Sequence, residues 1–440
     1  MTPNAADLRD RPAELLRNLV RFETVNPPGN ERECVAWIQD VLDQAGLETR
    51  IVAKDPERPN LIARLPGKGE AHPLLLQGHT DVVPVTDQEW TKPPFDAEEQ
   101  DGFIWGRGTL DMKGGVAMMI AAVLRALEQN LEPRGDVIFC ALSDEEAGGD
   151  CGAQFLTEER PELFKGVRYA LGEFGGFTIH IAGKRFSPVS VGEKQVCWLR
   201  GHVHGPGGHA SLPMRGGTMG RLGNVLTRMD KGRLPVHVTP IVERFVKTLA
   251  DGLGLPLGPP LRALLVPPLA DRLLDVLGDR AVLFDPILHN TVNATIVHGG
   301  DKVNVVPGAV ELRFDARVLP GFDAEDVKRE IQDLAGDDLK LEVERFDETA
   351  SEEPDLGLWD TLETVLTEAD PGITPLPYLM PAVTDGRHFA RLGIQNYGFT
   401  PMRLSEDFEF HSIIHAADER IPVEAVEFGT EAIRRVLERF

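Results

Sequence analysis

The 440-residue sequence has little positive charge, few cysteines and no long apolar run. Its 46 Lys and Arg residues against 70 Asp and Glu residues leave a net charge of −24, a sign that repels phosphate backbones and excludes general nucleic-acid binding. No apolar run reaches the ~18 residues of a membrane helix, and the N-terminus has no apolar signal core. The four cysteines lie far apart with no C-x-x-C pair. We therefore expect a cytoplasmic protein without a disulfide scaffold, nucleic-acid partner or membrane partner.

Several common catalytic strings are also missing. The sequence has no G-x-S-x-G, H-E-x-x-H or P-loop string, which removes the usual serine hydrolase, single-zinc protease and nucleotide-binding interpretations. None of the cysteines stands in a His-paired context, so a thiol nucleophile is not expected. We therefore look for catalytic or metal-binding groups among the His, Asp and Glu side chains.

The hydrophobic pattern predicts an α/β fold. Residues 8–19, 32–45 and 113–129 have the apolar spacing of helices. The apolar runs PLLLQG, from residue 73, and DVIFCAL, from residue 136, lack polar alternation, as expected for parallel strands covered on both faces. Helical and strand segments alternate along this part of the chain, which is typical of an α/β domain.

The alternation of helical and strand segments stops near residue 192 and resumes near residue 351. An exposed alternating strand, a Gly-rich turn and a long Leu/Pro stretch over 233–288 lie between these points. Within that stretch, Thr239-Pro240 is a good N-cap and first-turn pair for a helix. We predict a discontinuous catalytic domain, 1–191 and 351–440, interrupted by an α+β lid domain over 192–350.

Acidic and histidine side chains follow the predicted core strands. In open α/β sheets, ligands bind just outside the carboxyl ends of the strands. Charged groups that converge beside a buried strand need a cationic partner. A last histidine lies far downstream, ahead of the final helix. The candidates are His79, Asp81, Asp111, Glu145, Glu146, Glu173 and His415.

This set of side chains suits a dinuclear zinc site. Zinc binds imidazole and carboxylate, and two ions about 3.5–4 Å apart share a bridging carboxylate. Of the adjacent acids Glu145 and Glu146, one can bind metal while its neighbour acts as general base. Asp81 is placed to hold the imidazole tautomer of His79.

The strings GHTDVVP, GRGTLDMKGG and SDEEAGG, a later Glu and a terminal H-x-x-x-E resemble one dizinc family. That family includes aminoacylase, acetylornithine deacetylase, succinyl-diaminopimelate desuccinylase, glutamate carboxypeptidase and carboxypeptidase S. The order and spacing match over nearly the whole chain. The resemblance implies a zinc-peptidase-like catalytic domain with a mixed sheet and flanking helices, and a lid or dimerisation domain.

The resemblance also implies roles for the metal ligands. His79 and Glu173 would hold one Zn²⁺, and Glu146 and His415 the other. Asp111 would bridge the two ions. Co²⁺ or Mn²⁺ can take the place of zinc in such a site.

Three further roles are implied in the same way. Glu145 would be the general base and Asp81 the group that orients His79. His209, in GPGGHASLP, would stabilise the oxyanion, and in dimeric members of the family this histidine comes from the partner subunit.

The resemblance also implies substrate contacts from Asn304, Arg317 and Arg387, with Arg317 clamping a free carboxylate. Either arginine could instead form a simple salt bridge in so acidic a protein. The 233–288 stretch resembles the extended lid of the carboxypeptidase S-like branch. It leaves open whether the chain forms a homodimer through the lid.

We therefore expect an enzyme that hydrolyses an amide bond in a small substrate with a free carboxylate, such as a dipeptide or N-acyl amino acid. Two zinc ions would activate the water, and Glu145 would take its proton. The alternatives are a narrow biosynthetic deacylase of the succinyl-diaminopimelate or acetylornithine type, and a catalytically silent metal-binding member of the family. A purely structural acidic protein would have no use for converging carboxylates.

Overall fold

The computed structural model describes residues 4–348, 351 and 353–440. The chain divides into two compact units. The first comprises Met1–Val191, Pro354–Tyr378 and Thr384–Phe440, and the second comprises Gly192–Glu353 and Leu379–Val383. Within the described residues, no helix combines the length and apolar character needed to cross a bilayer.

The helices are numbered in chain order. They are α1 Ala5–Asp10, α2 Pro12–Val20, α3 Arg32–Gln44, α4 Lys113–Glu128, α5 Ala153–Glu159, α6 Thr218–Lys231, α7 Pro240–Leu253, α8 Gly258–Leu261, α9 Pro267–Leu277, α10 Asp285–Leu288, α11 Ala324–Ala335, α12 Trp359–Ala369, α13 Gly386–Ala390, α14 Phe410–Ile413 and α15 Val423–Arg439.

The strands are numbered in the same way. They are β1 Glu48–Val52, β2 Asn60–Leu65, β3 Leu74–His79, β4 Glu98–Gln100, β5 Phe103–Trp105, β6 Val137–Leu142, β7 Tyr169–Gly172, β8 Ile179–Ile181, β9 Lys184–Glu193, β10 Gln195–His204, β11 Gly208–His209, β12 Thr291–His298, β13 Val305–Val306, β14 Ala309–Val318, β15 Leu339–Asp347, β16 Thr374–Met380, β17 Gln395–Gly398 and β18 Arg420–Pro422.

The first unit is built on a nine-stranded mixed sheet with the order β1-β2-β6-β3-β7-β17-β9-β16, in which β8 pairs with β9. Strand β3 runs parallel to β6 and to β7, while β1, β2 and β8 pair antiparallel with their neighbours. Every residue of β3, β6 and β7 is buried, as expected for strands covered on both faces. This confirms the predicted α/β class with a mixed sheet and flanking helices.

The parallel pairing brings three strand ends to one edge of the sheet. His79, the last residue of β3, lies opposite Leu142, the last residue of β6. Leu76 of β3 lies opposite Leu171 near the end of β7. The residues that follow β6 and β7 are therefore delivered to the same edge as His79.

The helix predicted over residues 8–19 is in fact two helices. Helix α1 ends at Asp10, and α2 begins at Pro12. Arg11 lies between them with φ −132° and ψ 69°. The proline ring disfavours helical backbone at the preceding residue, so the chain breaks there although the apolar spacing continues. The next predicted helix, 32–45, is present as α3 and is followed by Gly46 at φ 85°.

The second unit contains a four-stranded antiparallel sheet with the order β12-β14-β10-β15 and a two-stranded pair, β11-β13. Alternate residues of β14 are buried, and they share a core with residues of helices α6 and α11. The Leu/Pro stretch contains α7 to α10. Helix α7 begins at Pro240, and the Thr239 side chain caps it by accepting a hydrogen bond from the Val242 amide, as predicted.

Candidate metal centre

Two groups of potential metal ligands share Asp111 at the edge of the first unit's sheet. Its Oδ1 lies 3.1 Å from His79 Nε2, which is also 3.4 Å from Glu173 Oε2. Its Oδ2 lies 3.0 Å from His415 Nε2, which is 3.4 Å from Glu146 Oε1. One carboxylate therefore faces two ligand groups, one through each oxygen. This is the arrangement that a bridging carboxylate requires.

Five separate segments deliver these side chains. His79 ends β3 and Glu173 directly follows β7. Asp111 lies just before α4, and the peptide bond between Asp111 and Met112 is cis. Glu146 lies in a short 3₁₀ turn after β6. His415, the most distant in sequence, lies between α14 and β18.

The ring of His79 is held by Asp81. Nδ1 lies 3.0 Å from the backbone carbonyl oxygen of Asp81 and 3.5 Å from its carboxylate Oδ1. When Nδ1 donates its hydrogen to either oxygen, the lone pair of Nε2 faces the carboxylates of Asp111 and Glu173. All three groups are then acceptors, so a cation or a proton has to lie between them.

The donor set fits zinc. Imidazole nitrogen and carboxylate oxygen are the ligands that zinc takes in catalytic sites. In addition, Oε1 of Glu146 is buried and accepts no hydrogen bond from any residue that the structure describes. A buried carboxylate oxygen without a partner is costly unless a cation completes its surroundings. The residues present therefore fit two metal ions that share Asp111.

Several charged groups lie close together in this buried site, and their pKa values are shifted as a result. Burial raises the pKa of Glu173 to about 8, although His79 partly offsets the shift. A hydrogen bond to Asp111 and the nearby Glu146 carboxylate raise the pKa of His415 to about 10. Burial alone would raise the pKa of Asp111, but hydrogen bonds from the two histidines hold it below its usual range. The site thus takes up protons when no other cation compensates its carboxylates.

Glu145 stands beside this centre and is not part of either ligand group that shares Asp111. It belongs to a third group with His79 and Glu146, whose ligand atoms lie within 4.8 Å of one another. Burial and the charge of Glu173 raise the pKa of Glu145 well above its usual value. A carboxylate with a raised pKa beside a metal centre is suited to general base chemistry.

A buried ion pair behind the centre was missed by the sequence reasoning. Arg107 Nη1 donates to Glu419 Oε2 at 2.7 Å, and both side chains are at most 1% exposed. The other Glu419 oxygen accepts from the amides of Leu110 and Asp111, at 2.8 and 3.3 Å. Arg107 also donates to the carbonyl oxygen of His415 at 3.2 Å. The pair thus supports the backbone of both Asp111 and His415.

Of the predicted residues in the second unit, His209 and Asn304 are brought together. His209 pairs with Val305 in β11-β13, and the Asn304 carbonyl accepts from the Ala210 amide at 3.1 Å. The amide of Ser211 donates to His209 Nδ1 at 3.2 Å, which places the ring hydrogen on Nε2. The exposed His209 ring therefore presents an N–H donor.

The two predicted substrate arginines differ in their surroundings. Arg317 lies on β14 and forms a two-bond ion pair with Asp315, at 2.8 and 3.0 Å. Arg387 lies in α13 and is 7% exposed. It donates to the carbonyl of Gly148 at 3.3 Å and to His388 Nε2 at 3.1 Å. Among the described residues Arg387 forms no ion pair, whereas Arg317 does.

Comparisons with known proteins identify the family of this chain. The model of Peptidase family M20/M25/M40 matches residues 75–439. The N-fatty-acyl-amino acid synthase/hydrolase PM20D1 of Bos taurus is 32% identical over 372 residues, covering 81% of this chain and 71% of the relative. The succinyl-diaminopimelate desuccinylase of Paracoccus denitrificans is 28% identical, covering 98% of each chain.

A solved structure shares the fold. The M20 family metallo-carboxypeptidase Sso-CP2 from Sulfolobus solfataricus superposes with a TM-score of 0.69 at 16% identity, covering 98% of this chain and 99% of the other. The resemblance drawn from the motifs is thereby confirmed. The chain belongs to Peptidase family M20/M25/M40, a family of metal-dependent enzymes that hydrolyse amide bonds.

Proposed function

We propose that the chain hydrolyses the amide bond of a dipeptide or an N-acyl amino acid, a small substrate with a free carboxylate, and that it requires two zinc ions. The observation that carries this proposal is the position of Asp111, with one oxygen toward His79 and Glu173 and the other toward His415 and Glu146. A centre with one ion would have no use for the second ligand group.

We assign the ligands accordingly. His79, Glu173 and Asp111 would hold one ion, and Asp111, Glu146 and His415 the other. When bound, zinc supplies Lewis acidity that polarises a carbonyl group and lowers the pKa of a water molecule. Co²⁺ or Mn²⁺ suits the same ligands, so the choice of zinc as the native metal is a proposal that the positions of the ligands do not determine.

The protein's own groups perform the proton transfer and the positioning. Glu145 takes a proton from the attacking water and delivers it to the leaving amine. Asp81 fixes the tautomer of His79. His209, with its hydrogen on Nε2, is suited to donate to the developing oxyanion.

The free carboxylate of the substrate requires a cationic partner. Of the two candidates, Arg387 is better suited because its guanidinium is buried and forms no ion pair with a described residue, whereas Arg317 is paired with Asp315. Asn304, adjacent to His209, would contribute a polar contact. The names of the relatives support this substrate class, since they include an N-acyl-amino acid hydrolase, a desuccinylase and a metallo-carboxypeptidase.

We also propose a cytoplasmic location, since Cys34, Cys140, Cys151 and Cys197 are all free. The lid domain is the surface through which the chain would form a homodimer, as the family resemblance implies. The oligomeric state can be read directly from the scattering mass of the purified protein.

A matched substrate panel tests the proposed reaction. Full-length protein loaded with Zn²⁺ or Co²⁺ is incubated with dipeptides and with acetyl, succinyl and long-chain acyl derivatives of the same amino acids, and release of the free amine is measured. We expect hydrolysis that chelation abolishes, and a marked loss of rate when the substrate carboxylate is amidated. Equal rates for free and amidated substrates would contradict the carboxylate requirement.

A further inference from the structure

The turn that carries Glu145 and Glu146 is held by its backbone. Three successive amides of this turn donate to two buried carboxylates. Asp144 N donates to Glu31 Oε1 at 3.3 Å, while Glu145 N and Glu146 N donate to Asp81 Oδ1 and Oδ2, each at 3.1 Å. The turn begins with Asp144 in the left-handed region, at φ 72°. Few residues other than glycine adopt this conformation without help from their surroundings.

Asn26 and Arg58 connect the two carboxylates to the turn. The Asn26 amide donates to Asp81 Oδ2 at 2.8 Å and to Asp144 Oδ1 at 3.1 Å. Arg58 Nη1 donates to the same Asp144 oxygen at 2.6 Å. Its Nε and Nη2 donate to the two oxygens of Glu31, at 3.1 and 2.6 Å. One asparagine and one arginine therefore tie three carboxylates into a single network.

This network is buried. Glu31 and Asp81 are fully inaccessible, and Asp144 and Asn26 are each 3% exposed. Three carboxylates in such a place repel one another, and Arg58, with a side chain only 12% exposed, is the cation that contacts two of them. A buried network of this kind is costly unless each member is hydrogen-bonded, and here the bonds are directed at the turn.

We propose that Asn26 and the Glu31–Arg58 pair are positioning residues that set where the adjacent carboxylates Glu145 and Glu146 stand. The inference rests on the proposed function, in which these two residues are the general base and a metal ligand. Because Asp81 binds their amides, a shift of the turn displaces both carboxylates together. Asn26 and Arg58 touch neither ligand group and act through Asp81 and Asp144.

The geometry makes the expected effect selective. Glu146 belongs to the ligand group of His415, whereas Glu173 follows a different strand and belongs to that of His79. Displacing the turn should therefore weaken binding of the Glu146 ion and slow proton transfer. The His79–Glu173 ion should be retained, because His79 Nδ1 lies closer to the backbone carbonyl of Asp81, at 3.0 Å, than to its carboxylate, at 3.5 Å. A general loss of stability would instead lower the affinity for both ions to the same extent.

The test measures Zn²⁺ binding and hydrolysis in Asn26→Leu, Arg58→Met and Arg58→Lys of the full-length protein. Asn26→Leu removes only the bridging amide, so it keeps the test informative if Arg58→Met fails to fold. We expect about a 10- to 100-fold loss of kcat and of affinity for one of the two zinc ions, the range for outer partners of metal ligands. KM should change little, because Asn26 and Arg58 are not among the residues assigned to bind the substrate. Arg58→Lys should remain impaired, because one ammonium cannot reproduce a guanidinium that spans two carboxylates.

Arg185→Met is the matched control. Arg185 Nη1 lies 2.7 Å from the buried Asp370 in the same unit, and neither residue contacts the turn. This variant should lower the melting temperature without changing the zinc affinities. Three results would overturn the inference: equal weakening of the binding of both zinc ions in Asn26→Leu, unchanged zinc binding in that variant, or full activity of Arg58→Lys. If the wild type still hydrolyses the substrate, the proposed function stands in each of these cases. A wild type that binds no zinc would overturn both.

Discussion

The adjacent residues Glu145 and Glu146 provide a sharp test, because the same substitution should have different consequences at each. Their amides are both held by Asp81, so Glu145→Gln and Glu146→Gln each leave the backbone of the turn in place. Glu146 Oε1 lies 3.4 Å from His415 Nε2, within the ligand group that also contains Asp111. Glu145 is outside both of the groups that share Asp111.

The expected magnitudes follow from these positions. Glu145→Gln removes a proton acceptor whose pKa burial raises well above its usual value, and loss of a general base costs about 10²- to 10⁴-fold in rate. This corresponds to roughly 3–5 kcal/mol in the activation barrier. Both metal ions should remain bound. Glu146→Gln leaves its ion with only Asp111 and His415 as charged or imidazole ligands, so that ion should be lost on desalting.

The assay combines metal analysis by mass spectrometry with the rate of amide hydrolysis on the same preparations. We predict two ions per chain and a very low kcat for Glu145→Gln, against one ion per chain for Glu146→Gln. Circular dichroism melting checks that both variants are folded. If Glu145→Gln loses metal, or retains wild-type activity, the division of labour between the two residues is wrong.

Two further predictions concern residues outside the ligand groups. Arg107→Met should lower the free energy of unfolding by about 3–5 kcal/mol, because it leaves the fully buried Glu419 without its ion-pair partner. Denaturant unfolding measures this loss, and the double variant Arg107→Met/Glu419→Leu should recover part of it. Burial lowers the pKa of Lys194 from 10.5 to about 7, so the unfolded chain binds more protons between these values. The free energy of unfolding should therefore rise with pH in that window, by up to about 1.4 kcal/mol per pH unit, and Lys194→Met should flatten the rise.

Each of these predictions has an outcome that contradicts it. If Arg107→Met lowers the free energy of unfolding by less than about 1 kcal/mol, the ion pair contributes no more than a solvent-exposed pair does. For Lys194, the comparison with the methionine variant isolates its contribution from that of other groups titrating in the same range. Parallel pH profiles for the two proteins would mean that the ammonium keeps its ordinary pKa in the folded protein.

The candidate metal ligands could be picked out from the sequence because each of them has a signal in its local sequence. His79, Glu146 and Glu173 each lie just beyond a strand whose run of apolar residues marks it as buried, and parallel pairing brings such strand ends together. Asp111 and His415 were found through their motifs. The parallel pairing of β3 with β6 agrees with what the same apolar pattern predicted.

The supporting residues could not be predicted in this way. Arg107 and Glu419 are separated by 312 residues, and Arg58 and Asp144 by 86, so nothing in their local sequence reveals that they meet. The division of the first helix at Arg11 had a local signal, the following proline, which the apolar spacing concealed.

The central claim is that two metal ions share Asp111. A crystal of the full-length protein grown with Zn²⁺ and measured at the zinc absorption edge tests it directly. We predict two anomalous peaks per chain, about 3.5–4 Å apart, one beside His79 and Glu173 and the other beside Glu146 and His415. A single peak, or peaks that do not lie on either side of Asp111, would contradict the account.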